Sequence, residues 1–414
     1  MKPRFVSLVI VGLLALALPA LAADWPQWRG PDRTGVSTET GLLKEWPEGG
    51  PPLVWKAAGL GGGYSTPAVS KGRIYVLGTR GGEEYVFALS EKDGSHVWSA
   101  RIGPIARAGY PGPRSTPTVD GDCLYALSSD GDLVCLETAS GRLLWQKNLL
   151  RDFGGRRGGW AYAESPLIDG DVLVCTPGGA QATMIALDKK TGGVIWKSAI
   201  PGGDAAAYAS VVIGEVANVK QYIQFLARGV VGVEAASGRF LWRYTRSANG
   251  TANIPTPIFY DGYVFSASGY NTGGGLVKLI PEGDTFHANE VYFSKDMVNH
   301  HGGIVKVGDY LYGTNNNSLL CLEFTNGRTP VWRNRSVGKG SVTCADGHLY
   351  VRSEGGAVAL VEATPAGYRE KGRFHQPDRS REPAWPHPVV ANGRLYLRDQ
   401  DILLCYNIKD PAAR

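Results

Sequence analysis

Ala186-Leu187-Asp188-Lys189-Lys190-Thr191-Gly192-Gly193-Val194-Ile195-Trp196 is the stretch on which the reading of this chain turns. An apolar strand end, an Asp-led turn and a second strand closing on Trp spell a hairpin, with Gly192 supplying the positive φ of a tight turn. Relatives of the pattern end at Trp98, Trp145, Trp242 and, one residue longer, Trp332, and a shorter Trp-bearing strand, Leu53-Val54-Trp55-Lys56, precedes them. The Trp spacings are 47, 51, 46 and 90 residues, the last being two repeats with Tyr292 near the skipped position. Regular recurrence makes Trp55, Trp98, Trp145, Trp196, Trp242 and Trp332 packing elements between neighbouring sheets, a better reading than cofactor-stacking rings.

A second landmark opens each unit. Ser65-Thr66-Pro67 recurs as Ser115-Thr116-Pro117, Glu164-Ser165-Pro166, Pro255-Thr256-Pro257 and Pro386-His387-Pro388, with degenerate copies near Ala209, His301 and Gly340. Pro67 to Pro388 is 321 residues over seven steps, about 46 per unit, close to the period of propeller blades. Four short strands fit each unit, as in 66–69, 73–79, 84–90 and 96–102, and Asp130-Gly131 reads as a two-residue hairpin turn. The fold class expected is all-β, one eight-bladed β-propeller, because a ring of four-stranded sheets leaves only short, protected edges. The last unit supplies three strands before the chain stops, so Leu53–Lys56 is expected to complete the eighth blade. Eight units leave about 24 residues for an N-terminal lead and no room for a second domain.

Composition agrees. Of 414 residues 56 are Gly and 25 Pro, too many turn formers for a helical bundle, while 10% aromatic residues argue against disorder. Lys2 and Arg4, an apolar run from Phe5 to Leu18, Pro19 and Ala20-Leu21-Ala22 describe a secretory leader over 1–22, cleaved near Ala22-Ala23. Its apolar run is too short to span a bilayer. With the first Cys at 123, no lipid-bearing mature N-terminus is expected. The mature chain, 23–414, should be one propeller in the periplasm or outside the cell, and a monomer. Losing Lys2 and Arg4 lowers the formal charge of +5 by two, which leaves no electrostatic footprint for nucleic acid.

The Ala-x-Asp-x-x-Thr-Gly-x-x-x-Trp pattern resembles the tryptophan-docking motif of pyrroloquinoline-quinone (PQQ) repeat propellers. Asp24-Trp25-Pro26-Gln27-Trp28-Arg29-Gly30-Pro31 with Gly35 and Ser37 is similar to the opening of exported bacterial members. The resemblance implies one of two functions. Quinoprotein dehydrogenases oxidise alcohols or sugars with PQQ and calcium; the propeller lipoprotein of the outer-membrane β-barrel assembly machinery binds proteins without catalysis. The dehydrogenase branch implies a quinone cage, a calcium site, a catalytic Asp, often a disulfide between adjacent Cys residues, and long inserts. This chain has no Cys-Cys pair, no C-x-x-C-H and no length for inserts.

Other chemistry is thin. Asp120, Asp122, Asp130 and Asp132 sit in turns and lack the spacing of a calcium loop. Gly61–Gly63 is followed by no Lys, so it is no phosphate loop. Cys135, Cys321 and Cys405 hold a small-residue position occupied elsewhere by Ala88, Ala186, Gly232 and Ala359 and read as compact apolar residues. Counting out from Asp130-Gly131 pairs Cys135 with Ala126 and puts Cys123 on the other face. A bridge between units, such as Cys321–Cys344, is the lesser alternative.

Connections from an outer strand to the next inner strand gather on one face, and there lies the candidate interaction surface: Arg107, Arg114, Arg151, Arg156, Arg157, Trp160, His300 and His301. Arg and aromatic side chains suit recognition of proteins or anionic groups. The His pair, without a carboxylate beside it in sequence, is not a metal motif. The function expected is therefore a non-catalytic protein-interaction propeller of the bacterial cell envelope, with envelope proteins as partners and neither a cofactor nor a metal. A PQQ-dependent oxidoreductase acting on alcohols or sugars is the alternative, and a carbohydrate or small-ligand binder a third.

Overall fold

A computed structural model describes residues 24–413; the expected leader and its cleavage point lie outside the described residues. Eight antiparallel sheets follow one another at 68–104, 118–148, 167–198, 212–244, 258–294, 305–334, 340–375 and 389–407. They form an eight-bladed β-propeller, here numbered blades 1 to 8, each blade running from an inner to an outer strand. No helix long and apolar enough to cross a membrane occurs among the described residues.

The ring closes with the N-terminal strand. Leu53–Ala57 is the outer strand of blade 8, paired antiparallel with Ile402–Asn407 in the register Trp55↔Cys405 and Lys56↔Leu404. Blade 7 gains a fifth strand, Val36–Ser37, parallel to its inner strand Gly340–Ala345.

The Trp residues join blade to blade. Indole N–H groups of Trp55, Trp98, Trp145, Trp196 and Trp332 donate to Glu91, Thr138, Lys189, Ala235 and Thr364 carbonyls at 2.9–3.2 Å, each in the following blade. Trp242 departs from the rule and donates to Gln221 of its own blade at 2.7 Å. Tyr292 fills the Trp register in blade 5, opposite Leu276. In blade 7 the register falls on Gly372, opposite Leu360 rather than the Ala359 expected from sequence, and Trp46 of the lead packs over it, 2.5 Å from where a Cβ would stand. Small residues face the docking rings for a steric reason. Cys135, Cys321, Cys405 and Gly232 pair with Trp145, Trp332, Trp55 and Trp242, and a Cβ at Gly232 would stand 2.1 Å from the Trp242 indole.

The turn at Asp130-Gly131 corrects the sequence reading. Ser128 closes the loop on Asp132 at 2.8 Å, and the strands resume at Leu127↔Leu133. The register moves by one, pairing Cys135 with Tyr125 rather than Ala126. Cys123, two residues from Tyr125, therefore lies on the same face as Cys135. All six cysteines are free thiols.

The lead does more than deliver the closing strand. The buried Arg33 guanidinium donates to the carbonyls of Ser165 (3.2 Å), Val211 (3.0 Å) and Pro166, where the inner strands of blades 3 and 4 begin. Buried Arg29 donates to Ile304 O (2.5 Å) at the start of blade 6 and to Thr34 O (2.6 Å). Residues 27–34 thus cross the central channel and divide it into two cavities, of about 260 and about 660 Å³.

Candidate functional site

The smaller cavity opens on the face carrying the connections between blades, and one rule of position builds its wall. Tyr64, Arg114, Ala163, Tyr208, Ile254, His301 and Trp385 all line it. Each stands four residues before the first residue of an inner strand: Ala68, Thr118, Leu167, Val212, Ile258, Val305 and Val389. A backbone repeated around the ring therefore presents seven different environments at one level. Trp28 of the lead lines the cavity too, its ring 4.5 Å from that of His387 and its N–H donating to Thr256 at 2.9 Å.

Aromatic side chains dominate. Trp385 lies 4.7 Å from Tyr64 and 4.8 Å from Tyr110, and Trp160 meets Tyr208 edge-on at 5.8 Å. Two of the rings sit on strained backbone, Tyr110 at φ 56 and Tyr270 at φ 54, the left-handed region that bulky residues avoid. Such outliers cost about 1–3 kcal/mol each and persist where the surroundings hold them, often at binding sites.

The polar groups are few and mostly engaged. Arg114 stacks over Tyr64 at 5.6 Å and donates to Gly109, Tyr110 and Gly112 carbonyls at 2.9, 2.6 and 3.3 Å, so it braces its own loop. Tyr64 OH donates to Glu382 at 3.1 Å, and burial together with that carboxylate pushes its pKa up. His300 Nε2 meets Tyr270 OH at 3.0 Å, and His301 Nε2 meets Glu354 Oε1 at 2.7 Å. Burial, then the neighbouring His301, holds His300 down to about 4; burial likewise lowers His301, and drives His387 down to about 3. Burial thus favours the neutral form of all three imidazoles, opposed at His301 by the Glu354 carboxylate.

Of the residues singled out from sequence, Arg114, Trp160, His300 and His301 meet in this cavity. The other arginines do not line it. Arg151 pairs with Asp132 at 3.2 Å, Arg157 with Asp130 at 2.5 Å, Arg156 donates to Gly203 O at 2.6 Å, and Arg107 is exposed. Glu354 overturns the view that the His pair lacks a carboxylate: it arrives from the middle turn of blade 7, 53 residues beyond His301. Sequence reasoning also missed Trp28, Tyr64, Tyr208, Tyr270, Trp385 and His387. Yet Tyr64 and Trp385 each immediately precede an opening triplet, and that phase was open to reading.

An eight-bladed propeller of Trp-docked repeats, its channel crossed by the lead and its upper mouth walled by aromatic rings, defines the class of protein. Residues 31–160 and 82–330 match the PQQ-repeat family model described as outer membrane protein assembly factor BamB, and the chain belongs to that family. A stretch of 161 residues, 37% of this chain and 36% of the relative, is 29% identical to outer membrane protein assembly factor BamB of Xanthomonas campestris pv. campestris. Another of 91 residues, 21% of this chain and 22% of the relative, is 32% identical to the protein of the same name in Salmonella typhimurium. The matched stretches thus span little more than a third of those relatives at most. Among solved structures, the quinohemoprotein alcohol dehydrogenase of Comamonas testosteroni superposes with a TM-score of 0.65 over 94% of this chain and 81% of its own, at 12% identity, a likeness of fold alone.

The cavity does not fit PQQ with calcium. A quinone bearing three carboxylates needs cations, and the one guanidinium in the lining already serves three backbone carbonyls. Calcium takes six to eight oxygen ligands, whereas the lining carries no carboxylate or side-chain amide. Among the described residues the nearby Glu354 and Glu382 are engaged by His301 and Tyr64.

Proposed function

We propose that this protein is a non-catalytic binding propeller of the bacterial cell envelope that grips a partner protein in its aromatic funnel. The observation that carries the reading is the ring position: seven blades offer the same site, and the chain fills it with Tyr, Arg, Ala, Tyr, Ile, His and Trp. Packing between blades does not call for that variety; recognition of one asymmetric partner does. Tyr and Trp provide large, stiff contact area at little entropic cost.

Membership of a family described as an outer membrane assembly factor supports an envelope protein as partner, and the leader expected from the sequence of residues 1–22 is consistent with a periplasmic location. A photo-cross-linking residue at Tyr110, 44% exposed at the funnel, is expected to trap an envelope protein in cells; one at Tyr260, 54% exposed by the other cavity, is not. Equal labelling from both positions, or none from Tyr110, overturns the proposal. Titration with PQQ and calcium should give neither a saturable rise in melting temperature nor dye reduction with alcohols or sugars. Turnover would make the protein an enzyme.

A further inference from the structure

We propose that His300, His301 and Glu354 form a binding site for a divalent transition-metal ion, of which Zn²⁺ is the model, in the wall of the funnel. One ring nitrogen from each histidine and one carboxylate oxygen lie within 4.8 Å of one another. Two imidazoles and a carboxylate make a three-ligand set that zinc accepts, leaving a fourth position for a ligand from outside. Both histidines line the cavity, so that position faces the funnel.

The setting is built around these side chains. Asn299 clamps the loop before the pair, donating to Thr314 O at 2.8 Å and accepting from Gly302 N at 2.8 Å. Tyr270 OH fixes the His300 ring through Nε2. Trp385 donates to Glu354 Oε1 at 2.8 Å, and Lys339 Nζ approaches Oε2 at 3.1 Å, orienting the carboxylate. Nδ1 of His300, whose Nε2 meets Tyr270, is buried with no hydrogen-bond partner among the described residues and is the ring nitrogen left to meet an ion, while His301 offers Nε2 beside Glu354.

Two ligands of a tetrahedral zinc stand about 3.4 Å apart at ordinary bond lengths. The 2.7 Å contact between His301 and Glu354 therefore has to open by less than 1 Å. Nitrogen donors favour zinc, copper or nickel over the hard cations calcium and magnesium. Lys339 opposes any cation here, which gives the site a signature that a merely structural cluster lacks.

The test is calorimetric titration of the tag-free mature chain, stripped of metal, with zinc sulfate, using calcium and magnesium chlorides as controls. One equivalent of Zn²⁺ should bind saturably. His300→Ala should weaken it at least tenfold, and Lys339→Met should tighten it severalfold. Bound Co²⁺ should show the visible absorption of a four-coordinate ion. His300 is half-buried on a loop, and the metal-free melting curve of the variant checks that it folds. No saturable zinc binding, or binding indifferent to both substitutions, overturns the proposal.

Discussion

The Trp55 indole closes over Gly94 of the neighbouring blade so tightly that a Cβ at Gly94 would stand 2.6 Å from the ring. The two residues are 39 apart in sequence, yet they join the last blade to the first. Trp98 over Gly141 and Trp196 over Gly238 repeat the contact at 2.5 Å. The glycine of each hairpin is thus required twice, for its positive φ and for the ring above it.

Gly94→Ala should lower stability by roughly 2–4 kcal/mol, about 1 from backbone strain and the rest from overpacking. Gly72→Ala is the control, since φ there is +73 but nothing lies within 4 Å of the added Cβ, and it should cost only the strain. Denaturant melts of the two variants give the comparison. Equal losses would mean that the indole yields freely and the docking contact is not tight.

Arg33→Met should cost about 3–5 kcal/mol, because it strips the carbonyls of Ser165, Val211 and Pro166 of their buried donor. Arg151→Met, whose side chain is 68% exposed, should change stability by less than about 0.5 kcal/mol. By the same logic, removing residues 24–57 takes away both the channel crossing and the closing strand and should abolish cooperative unfolding. A truncated chain that melts like the whole would refute the closure.

Buried Glu164 has its pKa raised to about 8 by desolvation, against hydrogen bonds from Thr176. Its folded value lies above its unfolded one, so the fold holds a proton the unfolded chain has already released. Stability from this group therefore falls as pH rises from about 4.5 to about 8, by roughly 3–5 kcal/mol in all. Glu164→Gln should match the wild type near pH 4.5 and melt progressively higher than it toward pH 8. If the difference between the two melting curves is independent of pH, the carboxyl is not protonated in the fold.

The ring was legible because its signals are local: the Asp-to-Trp hairpins and the Pro triplets recur at a fixed period, and Leu53–Lys56 had no blade of its own. The one-residue error at Asp130-Gly131 arose because Ser128 caps the turn, with its Oγ accepting from Asp132 N at 2.8 Å, and enlarges it. The funnel was harder to read. Arg151, Arg156 and Arg157 stand together in sequence, but Asp132, Gly203 O and Asp130 hold them apart from the cavity. Tyr64 and Trp385, 321 residues apart, meet only once the ring closes. Glu354 reaches His301 from a different blade, a pairing that no spacing along the chain announces.

Tyr110 and Tyr270 provide the most direct test of the binding claim. Asn is at ease in the left-handed region both residues occupy, so Tyr110→Asn combined with Tyr270→Asn should leave the melting temperature unchanged or slightly raised while removing two rings from the funnel. The measurement is the affinity of the double variant for the partner trapped through Tyr110, set beside that of an Arg151→Ala, Arg156→Ala, Arg157→Ala variant. The expected result is a loss of about 100-fold or more for the funnel variant, with the arginine variant altering mainly the association rate and its salt dependence. A funnel variant that folds and binds like the wild type would contradict the account.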